Sequence, residues 1–216
     1  GHGAYMLRQF FKYIFQSIAG MIGISVYILA DTFFISVHSG ADGLAVLNLI
    51  LPVYGLVYAI GAMIGIGSAT RFGINRAKGE NTDHYFLQSV FWSVLCSVPF
   101  IITGIVAPEK FLHLLGADAG LTALGKSYLR IMLITTPLFM ANYTFTAFAR
   151  NDQGTSTAMA GAISASLFNI VFDYIFMFPM KLGLAGAALA TAISPAITMA
   201  ICTTHYLGKK NHVGFR

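Results

Sequence analysis

Residues 166–178 read SLFNIVFDYIFMF. Most of this run would be at home among lipid tails, yet it carries an amide, Asn169, and a carboxylate, Asp173. The two are four residues apart, so a helix would set them on one face. An ionised carboxylate facing lipid costs about 2.5–3.5 kcal/mol on insertion scales. Either the segment is not a membrane helix, or Asp173 faces a polar interior. Composition decides between these. The 216 residues are 56% hydrophobic and only 10% charged, with a mean hydropathy of +0.73. A soluble domain carries about 25% charged residues. The chain therefore reads as a membrane protein.

Six stretches are long and apolar enough to span, given that a crossing helix needs about 20 residues. They are 13–37, 44–68, 86–107, 121–147, 158–178 and 184–207. Glycines, prolines and charges punctuate the intervals, in HSGADG, RFGINRAKGENTDH, APEKFLHLLGADAG, ARNDQGTST and PMKLG. The expected layout is a short N-terminal segment (1–12), a six-helix transmembrane bundle (13–207) and a tail (208–216). The fold class is an all-α membrane bundle. Cys96 and Cys202 fall in apolar runs and read as small buried hydrophobes. The net charge of +5 comes from cations scattered near helix ends, which argues against a nucleic-acid partner.

Basic residues favour cytoplasmic loops. Of the 13 Lys and Arg, nine fall on the side of the termini: Arg8, Lys12, Arg71, Arg76, Lys78, Arg150, Lys209, Lys210 and Arg216. Lys110, Lys126, Arg130 and Lys181 fall on the other. Both termini are predicted to be cytoplasmic, in a plasma or inner membrane. With that orientation, Asp31, Asp173, Thr191 and Tyr128 share one layer roughly 10 Å inside the outer surface, at about 1.5 Å per residue. Asn169 lies one turn deeper. Acids meeting in an interior cavity could share a proton or bind a cation. The oxygens of Asp31, Asn169, Asp173 and Thr191 suit a hard cation such as sodium. The plainer alternative is a packing network, since Asn and Thr often bond only between helices.

A weak internal repeat supports this layout. GADGLAVLNLILP (40–52) aligns without gaps on GLAGAALATAISP (183–195). Gly40 matches Gly183, Gly43 matches Gly186 and Pro52 matches Pro195. Asn48 falls opposite Thr191, which predicts that Asn48 also faces the polar layer. Pro52, Pro99, Pro137 and Pro195 lie within spans and can kink them. Asn142, Tyr143 and Thr146 form a mid-membrane polar cluster, either a substrate path or interhelical bonds. The glycines of GAMIGIGSATRFG match no phosphate loop and suit close helix packing.

ADTFFISVHSGADGLAVLN with IGIGSATRFGINRAKGE resembles the first two helices of the multidrug and toxic compound extrusion (MATE) transporters. ARNDQGTSTAMAGAISASLFNIVFDYIFMF followed by LGLAGAALATAIS resembles the fourth loop through the sixth helix of the same family. The resemblance implies one lobe, the N-terminal one, of a twelve-helix transporter. It implies that Asp31, Asn169, Asp173 and Thr191 form the acidic cation site, that Tyr128 is a neighbouring aromatic and that Asn142 is a cavity-lining amide. It also implies export of cationic, often lipophilic compounds in exchange for sodium or protons. No other cofactor is expected, and no enzyme activity. Two departures stand out. Some members carry a proline in the first helix, whereas QSIAGMIGISVYILAD has none. The second lobe is absent, so a second six-helix lobe or a second copy forming a homodimer is the expected partner. A lipid-linked saccharide flippase of the same superfamily is the alternative transporter, although the expected interior is acidic and amide-rich. A non-transporting scaffold, or an intramembrane aspartyl protease built on the two acids, uses less of the pattern.

Overall fold

The computed structural model describes residues 1–152 and 154–207, with the side chains of Ser17, Gly20, Met21, Gly23 and Ile24 outside that description. The expected tail, with Lys209, Lys210 and Arg216, therefore lies outside the described residues. The described chain is helical: α1 (His2–Ala77), α2 (Tyr85–Val106), α3 (Pro108–Leu115), α4 (Ala119–Ile134), α5 (Thr136–Asn151), α6 (Thr155–Met177) and α7 (Leu184–Tyr206).

α1 is two helices joined at one residue. Gly40 departs from helical geometry, with φ 60° and ψ −144°. The chain folds back there, because a Cβ placed on Gly43 would lie 3.0 Å from Ile35 Cγ2. Eight residues along a straight helix would separate these positions by about 12 Å. The outgoing arm (2–39) and the returning arm (41–77) thus form a hairpin. Of the loop expected between the first two spans, only Gly40 leaves helical geometry. The expected N-terminal segment is continuous with the outgoing arm, and the returning arm runs nine residues beyond its expected end at 68.

The expected fourth span is α4 and α5, bent by 45° at Thr135. Pro137 explains the break, since it has no N–H for the Leu133 carbonyl. Thr136 Oγ1 donates to Leu133 O at 2.7 Å and so replaces the donor that Pro137 lacks, while Thr135 Oγ1 adds a bond at 2.7 Å to Ile131 O, which already accepts from Thr135 N–H. In a bilayer that replacement is required, because no water is at hand. Pro52, Pro99 and Pro195 lie within helices that continue through them. With the hairpin in α1 and the bent pair counted once, the described residues make six crossings. α3, which the sequence reading left in a loop, caps the bundle between α2 and α4.

Among the long spans α7 is the most enclosed and α2 the least. One apolar core gathers Ile35, Ile50, Leu129, Met132 and Ala187. A second gathers Phe72, Phe86, Phe148 and Tyr206. Close approach relies on small residues. At Gly65 a Cβ would fall 2.7 Å from the backbone nitrogen of Thr144, so the returning arm and α5 meet almost backbone to backbone. Large apolar side chains such as Phe33, Phe91, Ile105 and Leu167 point outward, as a hydrocarbon solvent allows.

The repeat is visible in the backbone. Gly183, which opens the turn into α7, has φ 60° and ψ −135°, nearly the geometry of Gly40. Three residues later Gly43 and Gly186 each leave no room for a Cβ against the preceding helix. The two hairpins are therefore built alike. A side chain is strained at both turn glycines, by about 1–3 kcal/mol. At Gly40 a Cβ would meet nothing within 4 Å, while at Gly183 it would lie 2.9 Å from His38 Cε1. Gly183→Ala should therefore lower the thermal unfolding temperature in detergent more than Gly40→Ala. His38→Ala should recover the difference between the two, and equal losses unaffected by His38 would refute this account.

Candidate functional site

The outgoing arm of α1 carries Asp31, α6 carries Asn169 and Asp173, and α7 carries Thr191. All four are buried, and Asp173 is fully enclosed. Aromatic contacts clamp the outgoing arm to α6 next to them: Phe34 packs on Tyr174 at 6.0 Å and on Phe178 at 6.3 Å. Held there, the Asp31 and Asp173 carboxyls lie within electrostatic reach of one another. Acids 142 residues apart in sequence are buried near one another.

The pocket is under-bonded. Asp31 Oδ1, both Asp173 oxygens, both Asn169 side-chain polar atoms and Thr191 Oγ1 have no hydrogen-bond partner in good geometry. Among the described residues only Thr122 Oγ1 and Asn142 Oδ1 share that condition. Buried polar groups are normally paired, and such exceptions call for an explanation. A packing network would pair these atoms with one another, and it does not. The donor set is carboxylate, amide carbonyl and hydroxyl oxygen, which matches a hard cation by chemistry. Among the described residues no three or more His, Cys, Asp or Glu side chains cluster, so a transition-metal centre has no ligand set there.

A cavity of about 520 Å³ adjoins the pocket. Asn169 and Thr191 lie on its wall, together with Asn142, Thr146, Tyr58 and Tyr143. Asp31 and Asp173 do not; Asp173 stands one helical turn beyond Asn169 on α6. The unpartnered oxygens and the cavity are thus neighbours joined by Asn169 and Thr191. The volume falls within the roughly 300–1,000 Å³ of drug-sized sites. Tyr58 and Tyr143 meet edge to face at 5.1 Å on the wall. Arg150 is the cavity's single charged lining residue. Thr146 Oγ1 donates to its own helix at Asn142 O, 3.0 Å away, so it adds little free donor capacity.

Tyr128 is buried and shares a 2.9 Å hydrogen bond with Tyr54. Both hydroxyls lie within electrostatic reach of Asp31 and Asp173, as does Tyr27. Sequence reading found Tyr128 but missed Tyr54 and Tyr27. Tyr27 could have been found, being four residues before Asp31 on the same helix face. Tyr54 had no local signal. Asn48 is a correction: it is exposed on the lobe surface and stays outside the buried layer. The repeat aligns it with Thr191, but its arm presents that position outward.

Comparison with known proteins places the chain. The MatE family model matches residues 17–175. The chain belongs to this family of membrane transporters, whose members are not enzymes. It is 28% identical over 190 residues to the multidrug export protein MepA of Staphylococcus saprophyticus, covering 86% of this chain and 42% of that protein. It is 25% identical over 171 residues to MepA of Staphylococcus aureus, covering 78% and 38%. An outward-facing multidrug resistance MATE transporter superposes with a TM-score of 0.82 at 26% identity, over 93% of this chain and 45% of the other. A superfamily transporter from Pyrococcus furiosus, described as having a binding pocket of reversed polarity, gives 0.81 at 25% identity, over 93% and 44%. The chain spans less than half the length of these relatives, as one lobe of two would. It is an integral membrane protein.

The Tyr54–Tyr128 bond supplies a direct test of the polar layer. Tyr54→Phe or Tyr128→Phe alone orphans a buried hydroxyl and should destabilise the lobe by about 1–3 kcal/mol. Replacing both removes donor and acceptor together, and the loss should be smaller than the sum of the single losses. Strict additivity in thermal or chemical unfolding would refute the pairing.

Proposed function

We propose that this chain is the cation-coupled half of an antiporter that exports cationic, lipophilic compounds, with sodium or a proton held by Asp31, Asn169, Asp173 and Thr191. The observation that supports it best is the concentration of unpartnered buried oxygens beside a drug-sized cavity. A cation or proton arriving there would neutralise buried charge and favour one arrangement of the outgoing arm against α6. Substrate in the cavity would favour another. Coupling is then a difference in affinity between two states, which each ligand shifts in its own direction. Asn169 and Thr191 touch both spaces, so they are the residues through which occupancy of one space is felt in the other. Tyr58 and Tyr143 would offer aromatic faces to a lipophilic cation. The relatives described as multidrug exporters support the substrate class.

The partner in this reading is a second six-helix lobe, in keeping with relatives about twice as long, with a second copy of the chain as the other arrangement. The setting is a prokaryotic plasma membrane with both termini cytoplasmic, which the asymmetry of Lys and Arg supports. Membrane lipid is the surrounding solvent. A flippase for lipid-linked saccharides would have to meet phosphate charge, and Arg150 alone on the cavity wall is a poor match for that. A scaffold would have no use for the two acids.

Asp31→Asn and Asp173→Asn each keep shape while removing charge. Expressed with the partner lobe in drug-sensitive cells, each should abolish extrusion of a cationic dye at unchanged protein level, while Asn142→Ala should change the dye preference. Vesicles energised separately with a sodium gradient and a proton gradient identify the coupling ion. Undiminished dye extrusion by both aspartate variants would remove the acids from the mechanism.

A further inference from the structure

A second cavity, of about 410 Å³, lies apart from the first, where the end of α1 meets the start of α2. Arg71 and Ser68 line one side, three residues apart on the returning arm, and His84, Gln88 and Trp92 line the other. The latter three recur every fourth residue and so form one stripe along the beginning of α2. These side chains offer a guanidinium, an imidazole, an amide, an indole N–H and a hydroxyl. No carboxylate lines the cavity, although Glu80 and Asp83 are nearby in the connecting loop. Arg71 has no salt bridge with any described residue. Its charge is thus left for something outside the lobe.

The cavity is built into the fold. Asn75 Nδ2 donates to Tyr85 Oη at 2.7 Å, tying the end of α1 to the start of α2 at the cavity mouth. Ser89, in its floor, is buried and shares a 2.8 Å hydrogen bond with Thr144 of α5. α2 enters at this point with its positive dipole end and has no side-chain cap bond. From Phe91 onward the exposed surface of the helix is mostly apolar, with Phe91, Leu95, Val98 and Ile102 exposed. Tryptophan at such a boundary marks the junction of headgroups and acyl chains. Guanidinium and phosphate oxygens pair in a bidentate fork, which an ammonium cannot reproduce.

We infer that this cavity is a binding site for the phosphate headgroup of an anionic phospholipid, held by Arg71, His84 and Gln88, with the acyl chains lying along the Trp92 face of α2. The site is separate from the transport cavity and does not depend on the coupling ion. A lipid bound there would hold α2 against the end of α1, the junction that a moving hairpin must preserve.

The test uses the purified full chain in nanodiscs of phosphatidylcholine alone and of phosphatidylcholine doped with phosphatidylglycerol, read by thermal unfolding and by lipid retention in native mass spectrometry. Phosphatidylglycerol should raise the unfolding temperature and remain bound. Arg71→Ala should lose the gain and bind phosphatidylglycerol about tenfold more weakly, the scale of one charged hydrogen-bonding partner. Arg71→Lys should recover only part of it. Gln88→Ala, at an exposed position, gives a second reading if Arg71→Ala folds poorly, and Lys110→Ala, outside the cavity, should behave as the unmodified chain. Equal losses for Lys110→Ala and Arg71→Ala would overturn the site, as would no preference for phosphatidylglycerol. Soluble glycerol phosphate reproducing the full gain in lipid-free detergent would overturn the lipid assignment.

Discussion

Two carboxyls, Asp31 and Asp173, have to be kept out of hydrocarbon in a chain whose exterior is almost entirely hydrocarbon-facing. Each would be costly on a lipid-exposed face. The bundle meets that demand by folding the outgoing arm of α1 against α6, so that the acids turn toward one another and toward Asn169 and Thr191. The aromatic clamp of Phe34 on Tyr174 and Phe178 stands directly beside them. Under the proposed function, what would be an energetic defect in a static bundle serves as a place that accepts and releases positive charge. The tyrosines Tyr27, Tyr54 and Tyr128 extend the polar layer without adding charge to it.

That arrangement is delivered by two hairpins of the same construction. Each turns on a glycine with a backbone few other residues adopt, Gly40 or Gly183. Each has a second glycine three residues on, where helix meets helix too closely for a side chain. Each places its acid on the helix before the turn. The hairpins differ in what the returning helix does. α7 becomes the enclosed centre of the lobe and turns Thr191 inward, whereas the returning arm of α1 leaves Asn48 at the surface. One design thus supplies a buried hydroxyl in one copy and an exposed amide in the other.

Separation of the acids from the cavity wall has a mechanical consequence. In the proposed coupling, substrate in the cavity would not need to touch a carboxylate, because Asn169 and Thr191 line the cavity wall in front of the acids. The bend between α4 and α5 places Tyr128 on the acid side and Asn142, Tyr143 and Thr146 on the cavity side. The hydroxyl of Thr136 satisfies the Leu133 carbonyl that Pro137 leaves open at the bend. A rearrangement at this bend would pass from one space to the other without exposing backbone to lipid.

Much of this was legible in the residues themselves. Length and apolarity of the runs set the number of crossings, since a helix must satisfy its own backbone in lipid. Expensive polar residues at matching depths picked out Asp31, Asn169, Asp173 and Thr191, because depth follows directly from position along a helix. The glycine pattern announced the paired hairpins. What the chain alone could not settle was azimuth and neighbour. The repeat put Asn48 level with Thr191, but only packing decides which face of a helix looks inward, and that face is different in the two hairpins. Tyr54, adjacent to nothing informative in sequence, meets Tyr128 across 74 positions because two helices happen to cross there. Composition and spacing determined the lobe and the depth of its polar layer; tertiary packing decided which groups meet, because rotation of a helix about its axis is set by the shapes it packs against.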